Sequence, residues 1–186
     1  MKEPDPVTVS PLLYFDHYSD GGFPWTMSGD SLKAQGFGPQ SVLIRKDSSF
    51  VDGWVDASTD HADDGGLVLR FLDSDHYYML AIRDDLALFP KSIANLELYE
   101  HNGPGPDAFQ PFDAMDLAWP PFTNHRIRFA VTGNVFSVYM DGVLLWTRER
   151  SPAFVGGKRF GLRHYGLSFV DRDFYVNFAW RNTGGL

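Results

Sequence analysis

The sequence contains no cysteine and little glutamate, and it has no long hydrophobic run. Without cysteine, neither a disulfide nor a thiolate zinc site can hold the fold together, so the hydrophobic core must suffice. Only four of the 24 acidic residues are glutamate, so strong helix formers are scarce. The N-terminus has no apolar signal region, and no segment approaches the length of a membrane span. The sequence therefore predicts neither a secretion signal nor membrane insertion.

The residues that are abundant favour strands and turns. The 186 residues include 18 glycines and 12 prolines, which are common in turns, and 16% aromatic residues, which prefer strands. Apolar residues make up 44% of the chain, and the length suits one domain spanning 1–186. A formal net charge of -8 makes nucleic acid and anionic membranes poor electrostatic partners. We therefore expect a single all-β domain.

Short alternating or apolar runs, each bounded by turn residues, predict eleven strands. So many short strands in a chain of this length are typical of two packed antiparallel sheets. The predicted strands cover residues 41–45, 53–58, 66–72, 77–83, 86–89, 96–101, 125–132, 135–140, 143–148, 159–164 and 174–180. Asp141-Gly142 predicts a two-residue hairpin turn, because such a turn needs positive φ at its centre. Segment 103–121 carries five of the 12 prolines, so it predicts one long irregular loop.

Six short segments occur in an order that matches a known superfamily. They are GLVLRF (66–71), DHYY (75–78), LALF (86–89), HRIR (125–128), YMDGVL (139–144) and FGLR (160–163). Together they resemble the concanavalin A-like lectin/glucanase superfamily, in particular its laminin-G-like jelly-roll modules. The resemblance covers about residues 12–180 and implies a two-sheet antiparallel β-sandwich. It does not select a function, because this superfold carries lectins, glycosidases, adhesion modules and viral structural proteins.

The catalytic motif of the related glucanases is absent from this chain. Those enzymes resemble one another in a Glu-x-Asp-x-x-Glu strand, which supplies a pair of carboxylates about 5–5.5 Å apart. Here the nearest pair is Glu97 and Glu100, whose odd separation puts them on opposite faces of a strand. We therefore expect a protein without catalytic residues. The alternative is a glycoside hydrolase with a non-standard acidic site.

Calcium is the one cofactor that the sequence leaves open, and none is required for the fold. Asp60, Asp63 and Asp64 lie beside two glycines, a composition that suits a cation with oxygen ligands. The same residues are also standard in hairpins, where such a loop is simply solvated. The resemblance implies a second place for calcium near Asp16 and Asp20.

Ligand binding fits the sequence better than catalysis. Sugar recognition needs flat aromatic faces together with planar polar groups aimed at hydroxyls. If the apolar residues of each strand face the core, alternation turns Trp54, Asp56, Arg70 and Arg163 away from it. These four residues could converge on one concave sheet and bind a glycan or a protein partner. In the alternative interpretation, Arg70 pairs with an acidic neighbour and Trp54 packs beneath the long loop.

A third hypothesis is a structural component of a larger assembly, such as a bacteriophage tail, fibre or capsid accessory protein. Such proteins need no signal peptide, assemble without disulfides and commonly use jelly rolls. Under this hypothesis we expect a virion or extracellular location. We also expect either a homo-oligomer or a subunit of an assembly.

Overall fold

The computed structural model describes residues 7–8, 15–19, 25–28, 31–35, 38–46, 49–62, 65–83, 93–105, 108–118, 123–151, 154, 156–166 and 172–183. Its regular elements are strands. They are β1 (Val7–Thr8), β2 (Phe15–Ser19), β3 (Thr26–Ser28), β4 (Ser31–Gln35), β5 (Gly38–Arg45), β6 (Gly53–Ala62), β7 (Gly65–Asp73), β8 (His76–Arg83), β9 (Ile93–Asn102), β10 (Phe109–Ala118), β11 (His125–Thr132), β12 (Val135–Met140), β13 (Val143–Glu149), β14 (Arg159–Gly166) and β15 (Arg172–Asn182). Among the described residues, no helix is long and apolar enough to cross a membrane.

The strands form two antiparallel sheets. Sheet A has the order β13-β12-β11-β6-β15-β4-β3, with β1 paired to β15, and sheet B has the order β10-β9-β8-β7-β14-β5-β2. Chain neighbours therefore often lie in different sheets: β6 belongs to sheet A, whereas β7 belongs to sheet B. The expected all-β sandwich is confirmed.

The main core lies between the two sheets, and each strand contributes alternate side chains to it. Val55 and Ala57 of β6 are buried in this core, as are Ile127 and Phe129 of β11. Alternation then turns the intervening residues of both strands to the outer face of sheet A, which is the face directed away from the main core.

A second apolar cluster lies on the outer face of sheet B. Its buried members are Val42, Ile44, Val68, Phe71, Tyr77, Met79 and Ala81. Segment 77–82 in β8 explains the cluster, because it is apolar at every position and so has an apolar residue for each face of the strand. Sheet B is thus buried on both faces in this region, whereas sheet A is not covered in the same way over β6 and β11.

Ten of the eleven predicted strands lie within strands of the structure, and segment 86–89 lies outside the described residues. The Asp141-Gly142 turn between β12 and β13 is also confirmed, with φ of 52° at Asp141 and 82° at Gly142. Two successive residues with positive φ match the twist of the strands that they join.

The prediction of an irregular loop over 103–121 is wrong for most of that segment. Phe109–Ala118 forms β10, which pairs with β9 at the edge of sheet B. Proline is tolerated here because an edge strand has a neighbour on one side only, and the register shifts between Pro111 and Asp113. Phe112, which lies within this shift, packs against the main core. Residues 106–107 and 119–121 lie outside the described part of the chain.

Ion pairs join the edges of the two sheets. Arg148 of β13 donates to both carboxylate oxygens of Asp113 in β10, at 2.9 and 3.0 Å. Arg150 follows β13 and donates to Glu100 of β9 at 3.0 Å. The Arg148 side chain holds the pKa of Asp113 below its usual value, although partial burial acts in the opposite direction. These contacts fix how the edges of the sandwich meet.

Candidate functional site

The most concentrated polar cluster among the described residues lies on the outer face of sheet A, where β6 and β11 pair. Asp56 is fully buried, although it lies on this outer face. Arg128 is directly opposite Asp56 in the β6–β11 register, and Arg126 is two residues away on the same face. The two arginine side chains are 38% and 35% exposed, for Arg126 and Arg128 respectively. They cover the carboxylate and keep their outward edges in solvent.

Asp56 accepts four hydrogen bonds from these two guanidinium groups. Arg126 donates through Nη2 to Oδ1 at 2.6 Å and through Nε to Oδ2 at 3.2 Å. Arg128 donates through Nε and Nη2 to Oδ2, at 3.1 and 3.0 Å. Charge-assisted bonds of this kind compensate the burial of the carboxylate and fix the planes of both guanidinium groups.

Trp54 packs against Arg128 of the cluster. Its ring lies under Arg128, whose guanidinium carbon is 3.9 Å from the ring centroid. Such a contact combines cation–π attraction with stacking of two planar groups. Because Trp54 is only 8% exposed, it orients Arg128 and has little surface for a ligand.

Tyr139 extends the surface on the other side of Arg128. It lies opposite Arg128 in the β11–β12 register and opposite Leu144 in the β12–β13 register. Tyr139 is partly exposed and Leu144 is 49% exposed. A partly exposed aromatic residue therefore lies next to Arg128 on the same face.

The Asp141 carboxylate borders the cluster at the β12–β13 turn. It accepts the backbone N–H of Arg126 at 2.9 Å, and its other oxygen is 2.7 Å from His125 Nδ1. Partial burial raises the pKa of Asp141, but the hydrogen bonds from Arg126 and His125 outweigh that effect and leave the pKa below its usual value. Both oxygens of this nearby acid are thus engaged.

Arg70 does not lie with Trp54 and Asp56. It belongs to β7 in sheet B, and its positive φ of 50° interrupts the alternation of that strand. Its side chain donates to Asp52 Oδ1 at 3.1 Å and to the carbonyl of Gly133 at 2.6 Å. The structure therefore agrees with the alternative interpretation, in which Arg70 pairs with an acidic neighbour.

Arg163 lies in β14 of sheet B, on the outer face with the second apolar cluster. Its guanidinium carbon is 5.4 Å from the centroid of the Phe109 ring, and the residue is 5% exposed. Arg163 is thus separated from Trp54 and Asp56 by the whole thickness of the sandwich.

The four predicted binding residues therefore do not converge on one sheet. Trp54 and Asp56 share sheet A, whereas Arg70 and Arg163 belong to sheet B. The expectation rested on the alternation of each strand and took the strands to share one sheet, but β6 pairs with β11 and β15. The role of these four residues in binding a ligand stays a prediction.

Sequence reasoning missed Arg126, Arg128 and Tyr139. The signal was present in the HRIRF run of β11, where the apolar residues Ile127 and Phe129 alternate with the two arginines. That pattern places both arginines on one face. It does not reveal that Asp56 lies across from them, because the pairing of strands distant in sequence depends on the whole fold.

The calcium prediction falls largely outside the described residues. Asp63 and Asp64 lie outside them, and of Asp60 only the backbone, in β6, is described. Within the described part of the chain, no group of three or more histidine, cysteine or acidic residues could hold a metal ion. Near the N-terminus, Asp16 is 3.4 Å from Arg159 and 3.8 Å from Lys46.

Glu97 and Glu100, the glutamates considered for catalysis, are on opposite faces of β9, as their odd separation indicates. Glu100 is buried and accepts a bond from Arg150, whereas Glu97 is on the outer face of sheet B and accepts bonds from Arg83 and Tyr99. Asp52 and Asp56 have the even spacing that shares a strand face, and both accept hydrogen bonds from arginine side chains. None of these four groups is placed as a free acid beside a free base.

No protein-family model matches this sequence. No curated protein matches it either. Solved structures do match in three dimensions. The carbohydrate-binding module CBM66 from Bacillus subtilis superposes with a TM-score of 0.67 and 13% identity, over 89% of this chain and 95% of that one. The VIP36 exoplasmic/lumenal domain, in a form bound to Ca²⁺ and Man3GlcNAc, gives a TM-score of 0.63 and 10% identity, over 95% of this chain and 86% of that one.

A third match is a protein from Parabacteroides distasonis, whose description as a glycosyl hydrolase is provisional. It gives a TM-score of 0.57 and 14% identity, over 96% of this chain and 98% of that one. Identities this low establish shared architecture and leave activity open. With its two antiparallel sheets and these structural matches, the chain has the concanavalin A-like jelly-roll fold.

Proposed function

We propose that this chain is a non-catalytic glycan-binding module whose ligand lies on the outer face of sheet A. The binding surface comprises Arg126, Arg128 and Tyr139, with Asp56 and Trp54 holding the arginines in place. Support comes from two directions: the shape is shared with a carbohydrate-binding module and with a domain solved with a mannose-containing glycan. The cluster also combines the planar donors and the aromatic ring that sugar recognition uses.

The observation that carries the proposal is the buried Asp56 carboxylate held by two partly exposed arginines. Long arginine side chains normally lose much conformational freedom when they bind a ligand. Here Asp56 and the Trp54 ring have already fixed the guanidinium planes, so less freedom remains to be lost. The surface is therefore organised before the ligand arrives.

A single module of this kind should bind weakly. Each hydrogen bond to a sugar hydroxyl contributes only about 0.5–1.5 kcal/mol, because it replaces a bond to water. Affinity on the order of micromolar to millimolar is expected, and several copies acting together would be needed for durable attachment.

A glycan array, followed by calorimetric titration of the best ligand, tests the proposal. Wild-type protein should bind, and Arg126→Ala and Tyr139→Ala should each weaken binding by about tenfold, the effect of losing about 1.4 kcal/mol. Arg83→Ala is the matched control: it removes the same charge from an exposed arginine of sheet B and should bind as the wild type does. Melting temperatures of all variants establish that each is folded.

Two results would contradict the proposal. One is the absence of binding to any glycan by folded protein, and the other is loss of binding in Arg163→Ala but not in Arg126→Ala, which would move the site to sheet B. Steady release of reducing sugar would favour the hydrolase alternative. Repeating the array with added Ca²⁺ and with a chelator tests whether binding depends on calcium at Asp60, Asp63 and Asp64.

A further inference from the structure

The two arginines of the cluster have hydrogen-bonding capacity that Asp56 does not use. A guanidinium group carries five N–H donors. Arg126 and Arg128 each direct Nε and Nη2 toward Asp56, so each keeps its Nη1 donors and one further Nη2 donor. With 38% and 35% of these side chains exposed, the remaining donors are accessible from solvent. Their number exceeds what a single neutral hydroxyl would occupy.

The cluster also carries an excess of positive charge. Two guanidinium groups face one carboxylate, which leaves a local charge of about +1 on a chain whose formal net charge is -8. Arg181 of β15 lies opposite Trp54 in the register, on the same face. Asp141 borders these groups and offsets charge at one side of them, while both of its oxygens accept bonds from His125 and the backbone N–H of Arg126. A ligand anion would bind the outward donors that neither carboxylate uses.

The geometry of a guanidinium edge matches a carboxylate. Two parallel N–H groups bind the two oxygens of a planar carboxylate in a fork, which gives direction as well as charge compensation. Tyr139 beside Arg128 supplies the ring face against which the apolar side of a sugar could lie. A uronic acid carries both of these groups, because its pyranose ring bears a carboxylate.

We propose that the ligand class is an acidic glycan, whose uronate carboxylate binds the outward donors of Arg126 and Arg128 while its sugar ring lies against Tyr139. This inference rests on the proposed function, because it specifies the ligand of the same surface. Arg126 and Arg128 contact the ligand directly, and Asp56 and Trp54 are positioning residues.

Calorimetric titration with galacturonic acid oligosaccharides and with their carboxyl-reduced counterparts tests the inference. The two probes share ring size and linkage and differ in charge. Reduction of the carboxyl groups should weaken binding by about tenfold or more, and raising the ionic strength should weaken binding of the acidic form only. Arg126→Lys keeps the charge but lacks the fork, so it should lose most of the preference for the acidic form. Arg83→Ala should keep the preference for the acidic form.

The outcomes separate this inference from the proposed function. Equal affinity for the acidic and the reduced oligosaccharides, with Arg126→Ala still weakening both, would overturn the acidic specificity and leave glycan binding intact. Binding of dextran sulfate that uronate oligosaccharides cannot displace would overturn the carboxylate assignment. Failure of every glycan to bind would overturn the proposed function itself.

Discussion

The outer faces of the two sheets differ sharply, although both result from the same two-residue alternation. On sheet B, Val68, Tyr77 and Met79 are at most 1% exposed, and the outer face is a second apolar core. On sheet A, the corresponding face over β6 and β11 carries Arg126 and Arg128, each more than one-third exposed. The difference follows from sequence: β8 is apolar at successive positions, whereas β11 alternates apolar and charged residues.

The comparison indicates where a ligand could act without disturbing the fold. Arginines occur on both faces, but on sheet B Arg159 stacks over Phe71 at 5.0 Å and bonds the Tyr18 hydroxyl at 3.0 Å. That arginine covers apolar rings. On sheet A the arginines cover a carboxylate and expose their donors, so the same residue type serves packing on one face and is available for binding on the other.

The largest expected effect is on the apolar face. Phe71→Ala should lower the free energy of unfolding by about 3–5 kcal/mol, because it opens a cavity between Tyr18, Tyr77 and Arg159. Tyr139→Ala on sheet A should cost less than about 1 kcal/mol, since the ring is partly exposed. Urea denaturation measures both. Equal decreases in the free energy of unfolding for the two variants would contradict the difference between the two outer faces.

An intermediate effect is expected within the arginine cluster. The double variant Arg126→Ala/Arg128→Ala leaves Asp56 without its partners and should cost about 2–3 kcal/mol. Asp56→Ala alone should cost about 1 kcal/mol, because the two partly exposed arginines can turn into water.

The sharper test in this series is the triple variant. Adding Asp56→Ala to the double arginine variant should restore part of the lost stability, because it removes a carboxylate that has lost its four hydrogen bonds. A triple variant less stable than the double variant would contradict the view that the arginines compensate Asp56.

The smallest effect concerns the sheet edges and depends on pH. The pKa of Asp113 is lowered, chiefly by Arg148, so this contact stabilises the folded state above the unfolded pKa of about 4. Its contribution should be lost as pH falls through the folded pKa of Asp113. Asp113→Asn should therefore melt below the wild type at pH 6 and approach it near pH 3. A constant difference in melting temperature over this range would exclude the linkage.

The sequence predicted the strands well because alternation and turn residues are local signals. The Asp141-Gly142 hairpin and the HRIRF strand are examples, since neighbouring residues alone define them. The sheet to which each strand belongs is a long-range property, and for this reason Trp54 and Arg70 were wrongly grouped. The β10 edge strand was missed because the prolines of segment 103–121 suggested a loop, whereas one-sided pairing tolerates Pro111 within the strand.

The most direct test of the account is nuclear magnetic resonance of the wild-type protein titrated with galacturonic acid oligosaccharides, with the arginine Nε–Hε signals observed. We expect the signals of Arg126 and Arg128 to shift progressively with ligand, while those of Arg159 and Arg163 stay unchanged. Arg126→Lys and Arg128→Lys identify the two sheet A signals. Shifts confined to Arg159 and Arg163 would contradict this expectation and place the ligand on sheet B.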